Sequence, residues 1–124
     1  ITHLDDEGYF NEPAFRHCIK DTVEDELADS IIRLLDLAGL RGYDLSSIPE
    51  EHSNMNKDLN LTENIYKIIQ NMMIPFYAKA AVPAYVLIDV EYLAKDILQI
   101  DIWRHVELKL KYNATRERLH GKRY

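Results

Sequence analysis

From Phe15 onward the apolar positions recur at spacings of three and four. Phe15, Ile19, Val23, Leu27, Ile31, Leu34 and Ala38 form one stripe, the pattern of a long helix with one face against a core. Asn11 is a good N-cap, and Pro13 falls in the first turn, where its missing N–H does no harm. Gly39 and Gly42 mark the exit, because glycine accepts the left-handed backbone of a helix C-terminus. A helix over 12–41 is therefore predicted, with residues 1–11 as a polar connector. Residues 43–61 carry Asp44, Ser46, Ser47, Pro49 and Ser53 and read as a loop. Helical periodicity resumes at Thr62 through Ile65, Ile68, Ile69, Met72 and Met73, and Pro75 kinks or stops it. A third stretch, about 82–100, carries Val86, Val90, Leu93, Ala94, Ile97 and Leu98. A fourth opens at Asp101, carries Trp103, Val106, Leu108 and Leu110, and stops near Gly121. The expected architecture is one all-α domain over 1–124, a helical bundle of about four helices with three of them in 62–120.

Two stretches echo each other. Leu34-Leu-Asp-Leu-Ala-Gly-Leu-Arg-Gly-Tyr-Asp-Leu and Tyr92-Leu-Ala-Lys-Asp-Ile-Leu-Gln-Ile-Asp-Ile are each an apolar helix running through a short link to Asp plus an aliphatic residue. A duplicated helical hairpin gives this pattern, and so does coincidence between two amphipathic helices.

Composition narrows the class further. Four glycines and four prolines are few for a sandwich or barrel. A single cysteine, Cys18, excludes an internal disulfide and suits a reducing, cytoplasmic setting. The apolar run Met72–Ile88 is interrupted by Pro75, Lys79 and Pro83, so it is too broken to span a bilayer. Such a run is expected to leave an apolar patch that a bundle hides by forming a homo-oligomer. The net charge of −6 argues against general binding to nucleic acid or an anionic membrane. The charge is uneven, however. Arg104, Lys109, Lys111, Arg116, Arg118, Lys122 and Arg123 crowd the C-terminal end, against Glu107 and Glu117, while acidic residues concentrate in the first half. That distribution suits a cation held at one place and an anion at another, or a basic helix end that opposes the helix dipole.

Two constellations carry candidate chemistry. Glu26 and Asp29 are three apart, so their carboxylates share a helix face. A hard dication such as Mg²⁺ favours such oxygen ligands and leaves coordination positions for water and phosphate. A solvated acidic face, with Arg33 paired to Asp29 at i+4, has the same sequence. Lys109, Asn113 and Arg116 stand at i, i+4 and i+7 on the last helix and offer an ammonium, an amide and a guanidinium to phosphate and sugar oxygens. No P-loop or GxGxxG is present.

Taken in order along the chain, the two constellations resemble a known family. Glu26-Leu-Ala-Asp29-Ser-Ile-Ile-Arg33-Leu-Leu-Asp36-Leu-Ala-Gly-Leu-Arg-Gly-Tyr-Asp44-Leu is similar to the acidic helix and exit of the MazG-like all-α nucleoside triphosphate pyrophosphohydrolases. Glu107-Leu-Lys109-Leu-Lys-Tyr-Asn113-Ala-Thr-Arg116 is similar to that family's closing K-x-x-x-N-x-x-R helix. The matching segments cover about a third of the chain. The resemblance implies Mg²⁺-dependent hydrolysis of a nucleoside triphosphate to the monophosphate and pyrophosphate. It makes Glu26 and Asp29 metal ligands, with Glu26 catalytic, and gives Lys109, Asn113 and Arg116 to the nucleotide. The family pairs this motif with an earlier ExxE, and residues 1–25 contain none. Either the helix carrying it precedes Ile1, as the non-Met start favours, or the chain is a catalytically silent module that binds nucleotide or a protein partner. A helical bundle that oligomerises and takes no ligand is a third, unrelated expectation.

Overall fold

A computed structural model describes residues 4–5, 9–42, 55–73 and 82–116, and every element in them is helical. Helix α1 spans Glu12–Cys18, α2 Val23–Arg41, α3 Leu61–Met72, α4 Val82–Tyr92 and α5 Ile102–Ala114. A π-helical turn, Leu93–Ile97, extends α4. The all-α bundle expected from the apolar periodicity is thus the fold, with five α-helices among the described residues rather than about four. The expected helix stops at Pro75 and Gly121, Asp44 and most of the 43–61 loop lie outside the described residues.

The extra helix arises because the stretch predicted as one helix over 12–41 is broken at Ile19–Thr22. Asn11 caps α1 as expected, its Oδ1 accepting from the Ala14 N–H at 3.1 Å. After Cys18 the Ile19 and Lys20 N–H groups both reach the Phe15 carbonyl, and Asp21 turns left-handed at φ 67°. Thr22 then opens a new helix. Its Oγ1 accepts from the Asp25 N–H at 3.3 Å, while Asp25 Oδ2 accepts from the Asp21 N–H at 3.0 Å. Two orphan donors are satisfied reciprocally, in the manner of a capping box. Val23, an inward position in the unbroken stripe, becomes the exposed first residue of α2. At its far end α2 stops where expected, with Gly42 at φ 67° donating to Ala38 and Gly39.

Helix α3 starts one residue before Thr62, and the Asn60 side chain caps it by accepting from the Glu63 N–H at 2.8 Å. The fully buried Asn64 fastens the preceding segment. Its amide donates to the carbonyls of Asn56, Leu59 and Asn60, and its Oδ1 accepts from the Asn56 N–H. The segment after α4 closes on Gln99, left-handed at φ 57°. Gly42 and Gln99 occupy matching places in the two echoing stretches, each two residues before the Asp. The echo therefore extends to the backbone at this point.

Packing divides into two apolar clusters. Ala28, Ile31 and Ile32 of α2, Val86 and Val90 of α4, Leu93 and Ala94 of the π-helical turn, and Ile102 and Val106 of α5 form the main core. Leu4, Phe15, Ile19, Leu108 and Tyr112 form a second, smaller cluster, with Phe15 stacked on Tyr112 at 4.7 Å between centroids. Helix α5 faces both, which is why polar His105 and Lys109 end up buried along its length. The seam between the clusters is where the first turn of α2 meets the middle of α5. No helix among the described residues is long and apolar enough to cross a membrane.

Candidate functional site

The capping turn delivers charged groups to that seam. Asp25 sits on the same inward line as Ala28 and Ile32 and is 1% exposed. Its Oδ2 accepts from Lys109 Nζ at 3.0 Å, across 84 residues of sequence, and from the Asp21 N–H. Its Oδ1 is buried with no hydrogen-bond partner among the described residues. Lys109 is 7% exposed and takes its place in the inward register of α5 beside Val106 and Tyr112. Carboxylate oxygens of Asp21, Asp25 and Glu26 lie within 4.8 Å of one another. Asp21 is exposed and held by Lys20 Nζ at 2.7 Å, and that bond chiefly draws its carboxyl below the ordinary aspartate range. The Glu26 carboxylate is exposed and makes no hydrogen bond or ion pair among the described residues. Three acidic residues in the first turn of α2 also suit its dipole.

The residues expected from sequence are placed unevenly. Glu26 joins the acidic cluster. Asp29 does not, because Arg33 Nε binds its Oδ2 at 2.7 Å in the i,i+4 pair of an ordinary helix face. Lys109 is committed to Asp25 and so is not open to a phosphate. Asn113 is half-buried one turn on, and its Oδ1 is buried without a hydrogen-bond partner among the described residues. Arg116, half-buried at the end of α5, places its guanidinium 5.2 Å from the Tyr112 ring centroid. It makes no ion pair among the described residues. Arg16 of α1 and Lys109 approach the same ring at 5.5 and 5.7 Å. The C-terminal basic segment is therefore largely neutralised within the described residues. Arg104 and Lys111 both bind Asp5, which is held far below the usual carboxylate range by the Arg104 bond first and the Lys111 bond second. Among the described residues, Arg116 is the cation at α5's end that makes no ion pair.

Three site residues escaped the sequence reading. Asp21 and Asp25 belong to the capping turn, signalled by Thr22-Val-Glu-Asp25. His105 is buried on α5 with Nδ1 lacking a hydrogen-bond partner among the described residues, and burial pushes its pKa down, against the raising effect of Glu24, Asp101 and Asp25. What the arrangement offers chemically is an oxygen-rich turn suited to a hard cation and an adjoining guanidinium and amide suited to phosphate or sugar. Carboxylate oxygens are the donor type a hard cation takes, and exposed acidic groups gather in this way without one. Asp29 would have to leave Arg33 to take part.

The architecture and this seam define the protein as an all-α helical bundle with a buried acid–base contact between its second and last helices. Compared with protein-family models, with curated proteins and with solved structures, the chain matches none.

Proposed function

We propose that the protein hydrolyses a nucleoside triphosphate to the monophosphate and pyrophosphate with Mg²⁺, at the seam between α2 and α5. One observation carries the reading. Asp25, the residue just before the Glu26–Asp29 motif, meets Lys109 of the distant Lys109–Asn113–Arg116 motif at 3.0 Å. Clustered carboxylates are common without an ion, so the acidic turn by itself argues nothing. Its contact with the helix that carries the nucleotide-like motif is what favours phosphate chemistry.

In this reading Asp21, Asp25 and Glu26 would hold the metal, with Asp29 a further ligand if Arg33 releases it. The bound ion would act as a Lewis acid towards the phosphate oxygens and make a bound water more acidic. Glu26, exposed and unpaired, accepts the proton of the water that attacks the α-phosphorus, while pyrophosphate departs in line. Arg116 and Asn113 bind the phosphates and the sugar. Lys109 acts through Asp25, fixing its carboxylate and joining the two helices. The test is pyrophosphate release from a panel of ribo- and deoxyribonucleoside triphosphates with Mg²⁺, using the longest natural reading frame beside this chain. Activity that disappears in Glu26→Gln supports the reading. Activity untouched by Glu26→Gln sinks it.

A second reading, a catalytically silent module that binds nucleotide, is favoured by the pairing of Asp29 with Arg33 and of Lys109 with Asp25. It predicts nucleotide-dependent stabilisation without pyrophosphate release in either form of the protein.

A further inference from the structure

Helix α3 is strongly amphipathic, yet its apolar face and the core do not coincide. Its contacts to the core centre on Asn64 and Ile68, which are buried. At about 100° per residue, Leu61, Ile65, Ile69, Met72, Met73 and Tyr66 spread over roughly 140° to one side of that line. All six are exposed, Met73 at 78%. The surface continues onto the end of α2, where Leu37 is exposed and Leu40 is 84% exposed. Between the two helices runs an apolar groove of about 340 Å³, lined by Leu34 and Leu37 on one side and Ile68 and Met72 on the other, with Val86 and Val90 at its floor. The expectation from sequence put the sticky segment at Met72–Ile88. Most of that stretch lies outside the described residues; among the described residues the exposed apolar surface lies on Leu61–Met73 and the end of α2.

We infer that this face is where two copies of the chain pair, α3 and the end of α2 of one copy against the same elements of the other. The exposed parts of these side chains amount to on the order of 800 Å² per copy, at ~180 Å² for a whole large apolar residue, which is what each partner contributes to a standard-size stable interface. The edges of the face carry both signs, Asp36 and Arg41 on α2 with Glu63 and Lys67 on α3. A two-fold arrangement sets a patch against itself, so an edge of mixed sign can meet its own opposite charges. An apolar area this large on a monomer is unusual, and the open groove gives a partner's Leu40 or Met73 a place to insert. The inference is independent of the proposed chemistry, because the face lies away from the α2–α5 seam.

Sedimentation equilibrium of the chain at micromolar concentration tests it. The wild type is expected at twice its 14.5 kDa mass. Ile69→Lys and Met73→Lys, at exposed positions, are each expected to halve that mass with helical circular dichroism unchanged. Leu110→Lys, at an exposed position on α5, is expected to leave it. A monomeric wild type overturns the inference, and so does a dimer that survives both α3 substitutions. If the lysine variants lose their helicity, oxidative footprinting of the wild type across a dilution series decides. Protection of Met72 and Met73 that falls several-fold on dilution supports the pairing, and concentration-independent labelling overturns it.

Discussion

Replacing Lys109 by methionine removes the ammonium and keeps most of the side-chain volume. Asp25 is then left 1% exposed, with the Asp21 N–H as its remaining donor and Oδ1 still without a partner. Removing one member of a buried pair costs about 3–5 kcal/mol, because the survivor is a buried charge without compensation. The surviving backbone bond places this case at the lower end, at about 3 kcal/mol. For a chain of this length each kcal/mol shifts Tm by roughly 3–5 °C, so the expected fall is about 10–15 °C. Urea denaturation at pH 7, followed by circular dichroism, gives the free energy directly. Asp25→Asn, which strands the ammonium instead, is expected to cost a similar amount. The double variant is expected to cost little more than either single one, a coupling of about 2–3 kcal/mol. A Lys109→Met cost below about 1 kcal/mol, or additivity within about 0.5 kcal/mol, would refute the idea that this pair clamps α2 to α5.

Three further predictions rest on single residues. Asn64→Ala strips the 55–60 segment of its Asn64 side-chain ties to α3 and leaves the Asn56 N–H and several carbonyls without that partner; about 1–3 kcal/mol of stability is expected to go, read by the same denaturation. His105 has its pKa lowered in the fold, so the unfolded chain binds the extra proton first and stability falls as pH drops below the ordinary histidine value of 6.5. His105→Phe is expected to flatten the pH–stability curve in that window, and a slope unchanged by the substitution would count against the assignment. Gln99 and Gly42 are both left-handed, so Gln99→Gly is expected to raise stability and Gly42→Ala to lower it, each by about 1 kcal/mol in thermal unfolding.

Much of the fold was legible because its signals are local. Asn11 with Pro13 set the start of α1, and Gly42 ended α2, each through the backbone geometry that residue type favours. The break at Ile19–Thr22 was hidden for a physical reason. A spacing of three and four survives a tight turn that keeps Phe15, Ile19 and Ile31 facing inward, so periodicity cannot distinguish one helix from two. The signal that could have found it is Thr22-Val-Glu-Asp25, a hydroxyl and a carboxylate at capping-box spacing. The site was legible in outline but not in its details. Glu26 and Asp29 stood out as flanking carboxylates, yet Asp29 is taken by Arg33, its i+4 neighbour. Asp25 carried no role in the sequence and Lys109 was given to the nucleotide, although each is a charged residue in the inward register of its helix. Two such residues on different helices demand a partner, and the pairing that satisfies both is the one the fold makes. The commitment of Arg104 and Lys111 to Asp5 was beyond local reading, since it depends on where residues 4–5 dock.

The central claim, that the α2 turn and the α5 face make one site for a metal–nucleotide complex, is tested most directly by binding. Thermal unfolding would be followed with a non-hydrolysable nucleoside triphosphate, with and without Mg²⁺, in the wild type, Glu26→Gln and Arg116→Ala. The account predicts stabilisation of about 2.7 kcal/mol at a hundredfold excess over Kd, requiring both Mg²⁺ and nucleotide and lost in either variant. No stabilisation of the folded wild type, or stabilisation that both variants retain, would contradict it.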